Sequence, residues 1–265
     1  MPSGNDLLNV AMAAAQRAGA YLRTAQVPDD PSAWTAKGRA DWVTEVDRTA
    51  EGLIVEILRK GTPDAHIIGE ELSPELQTDG LVWIVDPLDG TTNFIHRYPC
   101  FAVSIGAAID GVLEAAVVLH VPLNRMSTAT RGGGAWEHGQ RLRVSTITLP
   151  EHALIGTGLP YRDFSRMEAY LDGLDRITRQ VTGIRRPGSA AIDLTDVAGG
   201  RFDGFWEQRL SAWDVAAGTL LVREAGGMVT DALGRDIGVE HAAIVAGNPA
   251  IHRWLLKTLA GETSA

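Results

Sequence analysis

Apolar residues first recur at helical spacing. In DLLNVAMAAAQRAGAYLRT, Leu7, Leu8, Ala11, Ala14, Ala15, Ala18 and Leu22 share one stripe, which predicts an amphipathic opening helix. A second helix is predicted from Thr44 in VTEVDRTAEGLIVEILRKG. Thr44 and Asp47 approximate a capping box, Leu53, Ile54, Ile57 and Leu58 form the stripe, and Gly61 stops it. The pattern then changes: AHIIGEE and LVWIVD carry short apolar runs of the kind expected of buried strands, and FAVSIGAAIDGVLEAAVVLHV predicts a hairpin about Asp110-Gly111. Further on, the pattern predicts a strand in ALIGTGL, helices over Phe164–Val181, Ser189–Val197 and Ala212–Glu224, strands in RFDGFWE and AAIVAG, and a closing helix. STITLPEHA has a proline and little periodicity, so we expect subdomains at 1–147 and 148–265.

Composition narrows the class. The 265 residues are 45% hydrophobic, enough for a substantial core, and the net charge is −9, which argues against nucleic acid or anionic membrane as a primary ligand. Cys100 is the sole cysteine, so there is no intramolecular disulfide or thiolate metal cluster, and a reducing cytoplasm is the expected location. A signal peptide is not expected, and no apolar run approaches the ~20 residues that span a bilayer.

The chemistry concentrates in LVWIVDPLDGTTNFIH. Between Glu70 and Thr92 stand Glu70, Glu71, Glu75, Asp79, Asp86 and Asp89, with no lysine or arginine. Asp86 and Asp89 end the apolar run, where paired carboxylates must either hold protons or recruit cations, and hard oxygen donors suit Mg²⁺, Mn²⁺ or Ca²⁺. Pro87 is read as fixing a turn that brings the Leu88 carbonyl into the same site. Gly90 lets backbone approach a ligand, and the amides of Gly90, Thr91 and Thr92 would open a helical turn able to hold an anion. The plainer alternative is a solvated acidic turn with an Asx cap at Asp89.

GEE followed by WIVDPLDGTTNF, with the later WDVAAG and EAGG, resembles the inositol monophosphatase family of Mg²⁺-dependent phosphatases, and most closely its bacterial inositol-1-monophosphatases. The likeness runs from DWVTEVD through GGGAWEHGQRLRVS and GSAAIDLTDVAGGRFDGFWE to GGMVTD. It implies an α+β fold of stacked α-β-α-β-α layers, as in inositol monophosphatase and fructose-1,6-bisphosphatase, and commonly a homodimer. It implies Glu70, Asp86, the Leu88 carbonyl, Asp89 and Asp214 as ligands for two to three Mg²⁺ per subunit, one of the sites inhibitable by Li⁺. Asp47, Glu70 and Thr91 would organise the attacking water, and no phosphoenzyme would form. Gly188, Ser189 and Ala190 would line the pocket with their backbone, and Glu207 would accept a substrate hydroxyl. The implied reaction is hydrolysis of inositol 1-phosphate.

Ser211 departs from the pattern, standing where some members carry histidine. Trp213 is read as packing, His96 and Arg97 as structural, and Arg185 and Arg186 either as anion contacts or as surface charge. The spacing Asp-x-x-Asp argues against the Asp-x-Asp of haloacid-dehalogenase phosphatases, and no NTPase loop, zinc-protease helix or serine-hydrolase elbow is present. Histidinol phosphate, fructose 1,6-bisphosphate or a nucleotide 3′-phosphate stand as alternative substrates. A role as partner of the transcription and ribosome-assembly machinery stands as an alternative of another kind.

Overall fold

The computed structural model describes residues 2–27, 35–38, 41–43, 45–71, 78–160, 163–239 and 242–261. Thr44 and Glu75 lie outside them, and with Thr44 the proposed cap of the second helix. The elements run α1 (Gly4–Leu22), β1 (Thr35–Gly38), β2 (Asp41–Val43), α2 (Glu45–Gly61), β3 (His66–Gly69), β4 (Leu81–Asp89), α3 (Thr91–Ile95), β5 (Ala102–Ile109) and β6 (Val112–His120). Next come β7 (Arg125–Thr130), β8 (Gly134–Glu137), β9 (Gln140–Arg141), β10 (Leu154–Thr157), α4 (Met167–Thr178) and β11 (Gly183–Arg185). The chain closes with α5 (Ala190–Ala198), β12 (Gly204–Leu210), α6 (Ala212–Glu224), β13 (Met228–Thr230), β14 (Ala242–Gly247) and α7 (Pro249–Leu259).

β1 and β2 pair with each other, and two larger sheets organise the rest. One has the order β3-β4-β5-β6-β7-β8-β9, antiparallel apart from the parallel β3/β4 pair; the other has the order β11-β10-β12-β14-β13, with β10 parallel to both neighbours. Strand alternation explains the layering, because successive side chains leave a sheet on opposite faces. On β4, Val82 and Ile84 enter a core shared with α5 and α6, whereas Trp83 and Val85 enter one shared with α1 and α2. On the second sheet, Phe205, Ile244 and Ala246 join the α5/α6 core, while Trp206 and Val245 face the opposite core, with Tyr170 of α4 and Leu255 of α7. The result is five layers, α-β-α-β-α, as the resemblance implied. Both faces of each central strand are buried, which is why LVWIV reads as an unbroken apolar run.

The hairpin turns where expected, with Asp110 and Gly111 both at positive φ, 49° and 78°, as a tight two-residue hairpin requires. The fourth helix begins at Met167 rather than Phe164: Asp163 Oδ1 accepts from the Ser165 amide at 2.7 Å and Asp163 also pairs with Arg209, so these residues form a turn ahead of the helix.

Candidate active site

The site begins with an irregularity in β4. Asp86 pairs with Ser104 and Asp89 with Ala102, so three steps on β4 oppose two on β5. In a regular strand, residues three apart point to opposite faces; the extra residue of the bulge turns Asp86 and Asp89 to the same side. The expectation of a turn at Pro87 is corrected: β4 continues through it, and proline is tolerated in the bulge because it has no amide to leave unpaired. Asp86 Oδ1 accepts from the Leu88 amide at 2.9 Å and closes the bulge.

Asp214 joins this pair from the distant α6. One oxygen each of Asp86, Asp89 and Asp214 lie within 4.8 Å of one another. In isolation Asp214 reads as a helix N-cap, but the cap is Ser211, whose amide donates to Asp214 Oδ2 at 2.6 Å. Ser211 therefore orients a carboxylate of the cluster. Trp213 packs against the central core, as expected, and its carbonyl accepts from Ser104 Oγ at 3.2 Å.

Burial, compounded by the charges of Glu70, Asp89 and Asp214, pushes the Asp86 carboxyl well above the ordinary range. Asp214 is raised by burial and by Glu70 and Asp89. Asp89 is raised by burial to about 6, against the pull of hydrogen bonds from Ser189 Oγ at 2.6 Å and the Ala191 amide at 2.8 Å. Among the described residues, no donor reaches the buried Asp86 Oδ2. Three converging carboxylates, an orphaned oxygen and no lysine or arginine between Glu70 and Thr92 make a donor set that fits hard divalent cations.

A cavity of about 250 Å³ opens beside the cluster. Glu70, Leu88, Thr91 and Thr92 line it together with the three aspartates. Thr91 Oγ1 lies 3.0 Å from Asp47 Oδ1 and 3.1 Å from the Leu88 carbonyl, so donation to the buried Asp47 leaves its lone pairs available. Gly90 caps α3 at φ 93°, a left-handed conformation that glycine adopts without cost, and its position leaves no room for a side chain against the Cys100 carbonyl.

The far wall comes from the second half. Gly188, Ser189 and Ala190 line it, and so does Glu207, which burial raises to about 8 against the pull of Arg186. Glu207 also sits beside a bulge, since Glu207 to Leu210 on β12 opposes Ile244 to Ala242 on β14, and Arg209 within it has φ 62°. A Cβ at Gly158 would overlap the Glu207 carboxyl, so the glycine makes room for the acid. Of the two arginines, Arg186 lines the cavity, whereas Arg185 bonds its own neighbour's carbonyl, that of Ile184, at 2.9 Å. His96 and Arg97 end α3 and do not line the cavity.

Three contributors escaped the sequence reading. Asn93 Nδ2 donates to the carbonyls of Cys100 at 2.7 Å and Pro187 at 2.9 Å, stapling the 187–188 turn to the first half. The buried Glu51 accepts from the Glu71 amide at 2.8 Å and holds the GEE turn. Asp193 lines the cavity from α5. The one available signal was a polar residue at a core-facing helical position, which Glu51 and Asp193 both are.

A family model described as "Inositol monophosphatase family" matches residues 4–264. The chain belongs to the inositol monophosphatase family. Family membership supports phosphatase activity. Among its relatives, the Pseudomonas aeruginosa "Nus factor SuhB" is 46% identical over 96% of this chain and 95% of its own. The Rhizobium meliloti "Inositol-1-monophosphatase" is 45% identical over 96% of each. Of solved structures, the Thermotoga maritima IMPase superposes with TM-score 0.87 at 35% identity, covering 97% of each chain. The Bartonella henselae extragenic suppressor protein suhB gives 0.86 at 42%, over 95% of this chain and 97% of its own. Members of the family under both names thus share this five-layer fold.

Proposed function

We propose that the chain is a magnesium-dependent phosphomonoesterase that hydrolyses inositol 1-phosphate to inositol and phosphate. The observation that carries it is the convergence of Asp86, Asp89 and Asp214 within 4.8 Å, at a cavity whose opposite wall holds Glu207. Glu70, Asp86 and the Leu88 carbonyl would hold one Mg²⁺, Asp86, Asp89 and Asp214 would hold another, and a third, weaker site would lie alongside. Bound there, the cations supply positive charge that favours deprotonation of water and offsets charge on the leaving oxygen.

The residues of the chain do the rest. Thr91, bonded to Asp47, orients a water toward phosphorus together with Glu70. The amides of Gly90, Thr91 and Thr92 hold the phosphate oxygens. The water attacks in line, its bond to phosphorus forming as the ester bond breaks, and the alcohol leaves with a proton. Glu207 and the backbone of Gly188, Ser189 and Ala190 hold that alcohol. We further propose a cytoplasmic homodimer, sensitive to Li⁺, with subdomains 1–147 and 148–265 meeting at the cavity.

The test is phosphate release from inositol 1-phosphate, histidinol phosphate, fructose 1,6-bisphosphate and a 3′-phosphorylated nucleotide, each with Mg²⁺ and with EDTA or Li⁺ added. Preference for inositol 1-phosphate, abolished by EDTA, is expected; turnover that survives EDTA would sink the reading. The "Nus factor SuhB" name of the Pseudomonas aeruginosa relative favours a second, non-catalytic role in transcription. If that role exists here, transcription complexes will retain Asp89→Asn as well as the native protein.

A further inference from the structure

Asp163 and Asp193 are the acids of the cavity wall to which the proposed reaction assigns nothing, and Asp163 is paired with Arg209. Ser189 and Asp193 are four residues apart on α5 and share one face. Ser189 is bonded to Asp89, so that face is the one turned to the site. Asp193 is only 1% exposed, yet it lines the same cavity as Glu207, and among the described residues no donor reaches its Oδ1. An unpaired acceptor in such a place is costly, and its cost vanishes when a ligand supplies the donor.

The surroundings restrict what that ligand is. The charged groups facing Asp193 are Glu207, Asp89, Asp196 and Arg186. Asp196 is occupied by Arg125 at 3.0 Å and Arg201 at 2.5 Å, and Arg209, which also lines the cavity, is paired with Asp163, leaving Arg186 as the cation that faces Asp193. An anionic group would meet three carboxylates, and an apolar group would leave Oδ1 orphaned. An ammonium group would crowd a second cation beside Arg186. A neutral hydroxyl satisfies Oδ1 and opposes nothing.

Resting on the phosphatase reading above, we propose that Asp193 binds a second hydroxyl of the leaving alcohol alongside Glu207. The substrate class is then the monophosphate of a polyol with two free hydroxyls on one side. This makes Asp193 a determinant of specificity, acting on the part of the substrate remote from phosphorus.

The test compares Asp193→Leu, which removes the acceptor at similar volume, with Asp193→Asn, which keeps it. For each, kcat/KM is measured on inositol 1-phosphate, histidinol phosphate and the hydroxyl-free 4-nitrophenyl phosphate. Asp193→Leu should lower the inositol to nitrophenyl ratio about tenfold or more, mostly through KM, as expected for one lost hydrogen bond to a buried group. Asp193→Asn should recover most of that ratio. Calorimetric titration of free inositol into the magnesium- and phosphate-loaded protein should show the same order of affinities. An unchanged ratio in folded Asp193→Leu overturns the proposal and leaves Asp193 a core carboxyl. A native preference for histidinol phosphate that Asp193→Leu abolishes replaces the hydroxyl by an ammonium. Native protein inactive on all three esters removes the phosphatase reading itself, and the proposal with it.

Discussion

The Ser189 hydroxyl donates to Asp89 Oδ2 at 2.6 Å across 100 positions of chain. Ser189 also caps α5, so one side chain both starts a helix and holds a carboxylate of the acidic cluster. Ser189→Ala should cost about 1–3 kcal/mol of stability, from the cap and the charged hydrogen bond together. It also removes a donor that lowers the Asp89 pKa, so the acid limb of the pH–rate profile should move to higher pH. A limb that stays put in a destabilised variant would mean that the bond serves the fold alone.

Asp89→Asn removes one of three mutually repelling carboxylates. Turnover with Mg²⁺ should fall at least about 100-fold. In EDTA, however, the melting temperature should hold or rise, because one of three clustered buried charges has been deleted. A variant that melts well below native protein in EDTA would show that the Asp89 charge stabilises the fold without a cation.

Burial of the Asp89 and Glu207 carboxyls fixes how stability depends on pH. Asp89 at about 6 and Glu207 at about 8 hold protons in the folded chain that the unfolded chain releases near its ordinary carboxylate range of about 4. Their contribution is therefore full below that range and is lost as pH rises through the folded values. Cation-free protein should melt progressively lower from about pH 5 to about pH 8. Mg²⁺, which binds the deprotonated forms, should raise the melting temperature more at the upper end. Melting curves in EDTA and in saturating Mg²⁺ across that interval check both statements.

Gly158→Ala would drive a methyl group into the Glu207 carboxyl. With Glu207 displaced, KM for inositol 1-phosphate should rise about tenfold, the worth of one good hydrogen bond, while the fold, judged by circular dichroism, persists. An unchanged KM would remove Glu207 from the substrate's neighbourhood.

Gly218→Ala tests the packing that brings Asp214 to the cluster. A Cβ at Gly218, on α6, would overlap Leu194 on α5, so forcing the two helices apart should cost about 1–3 kcal/mol. Magnesium affinity measured by titration should weaken with it. Unchanged affinity would mean that the cluster tolerates a shift of α6.

Much of this was legible in the sequence because the signals were local. LVWIV announced a buried strand, Asp110-Gly111 a tight turn, and Asp86 and Asp89 a pair of converging carboxylates. What stayed hidden depends on partners far along the chain. The bulge that turns Asp86 and Asp89 to one side is a property of register against β5, and sequence spacing alone read it as a turn at Pro87. Asp214 taken alone reads as a helix cap, and only the family resemblance, not its spacing, grouped it with Asp86 and Asp89. Asn93 carried no sign that it would reach Pro187, and the one sign at Asp193, a polar residue at a core-facing helical position, does not say that a cavity lies beside it.

The helices that cover the inner face of the first sheet, α5 and α6, lie far downstream of its last strand, β9, which ends at Arg141. A ribosome adding about 5–20 residues per second needs on the order of several seconds to pass from there to the end of α6. Throughout that interval the face of the first sheet that α5 and α6 cover in the finished fold has no cover from those helices. The third carboxylate of the cluster, Asp214, joins Asp86 and Asp89 only once that interval has passed.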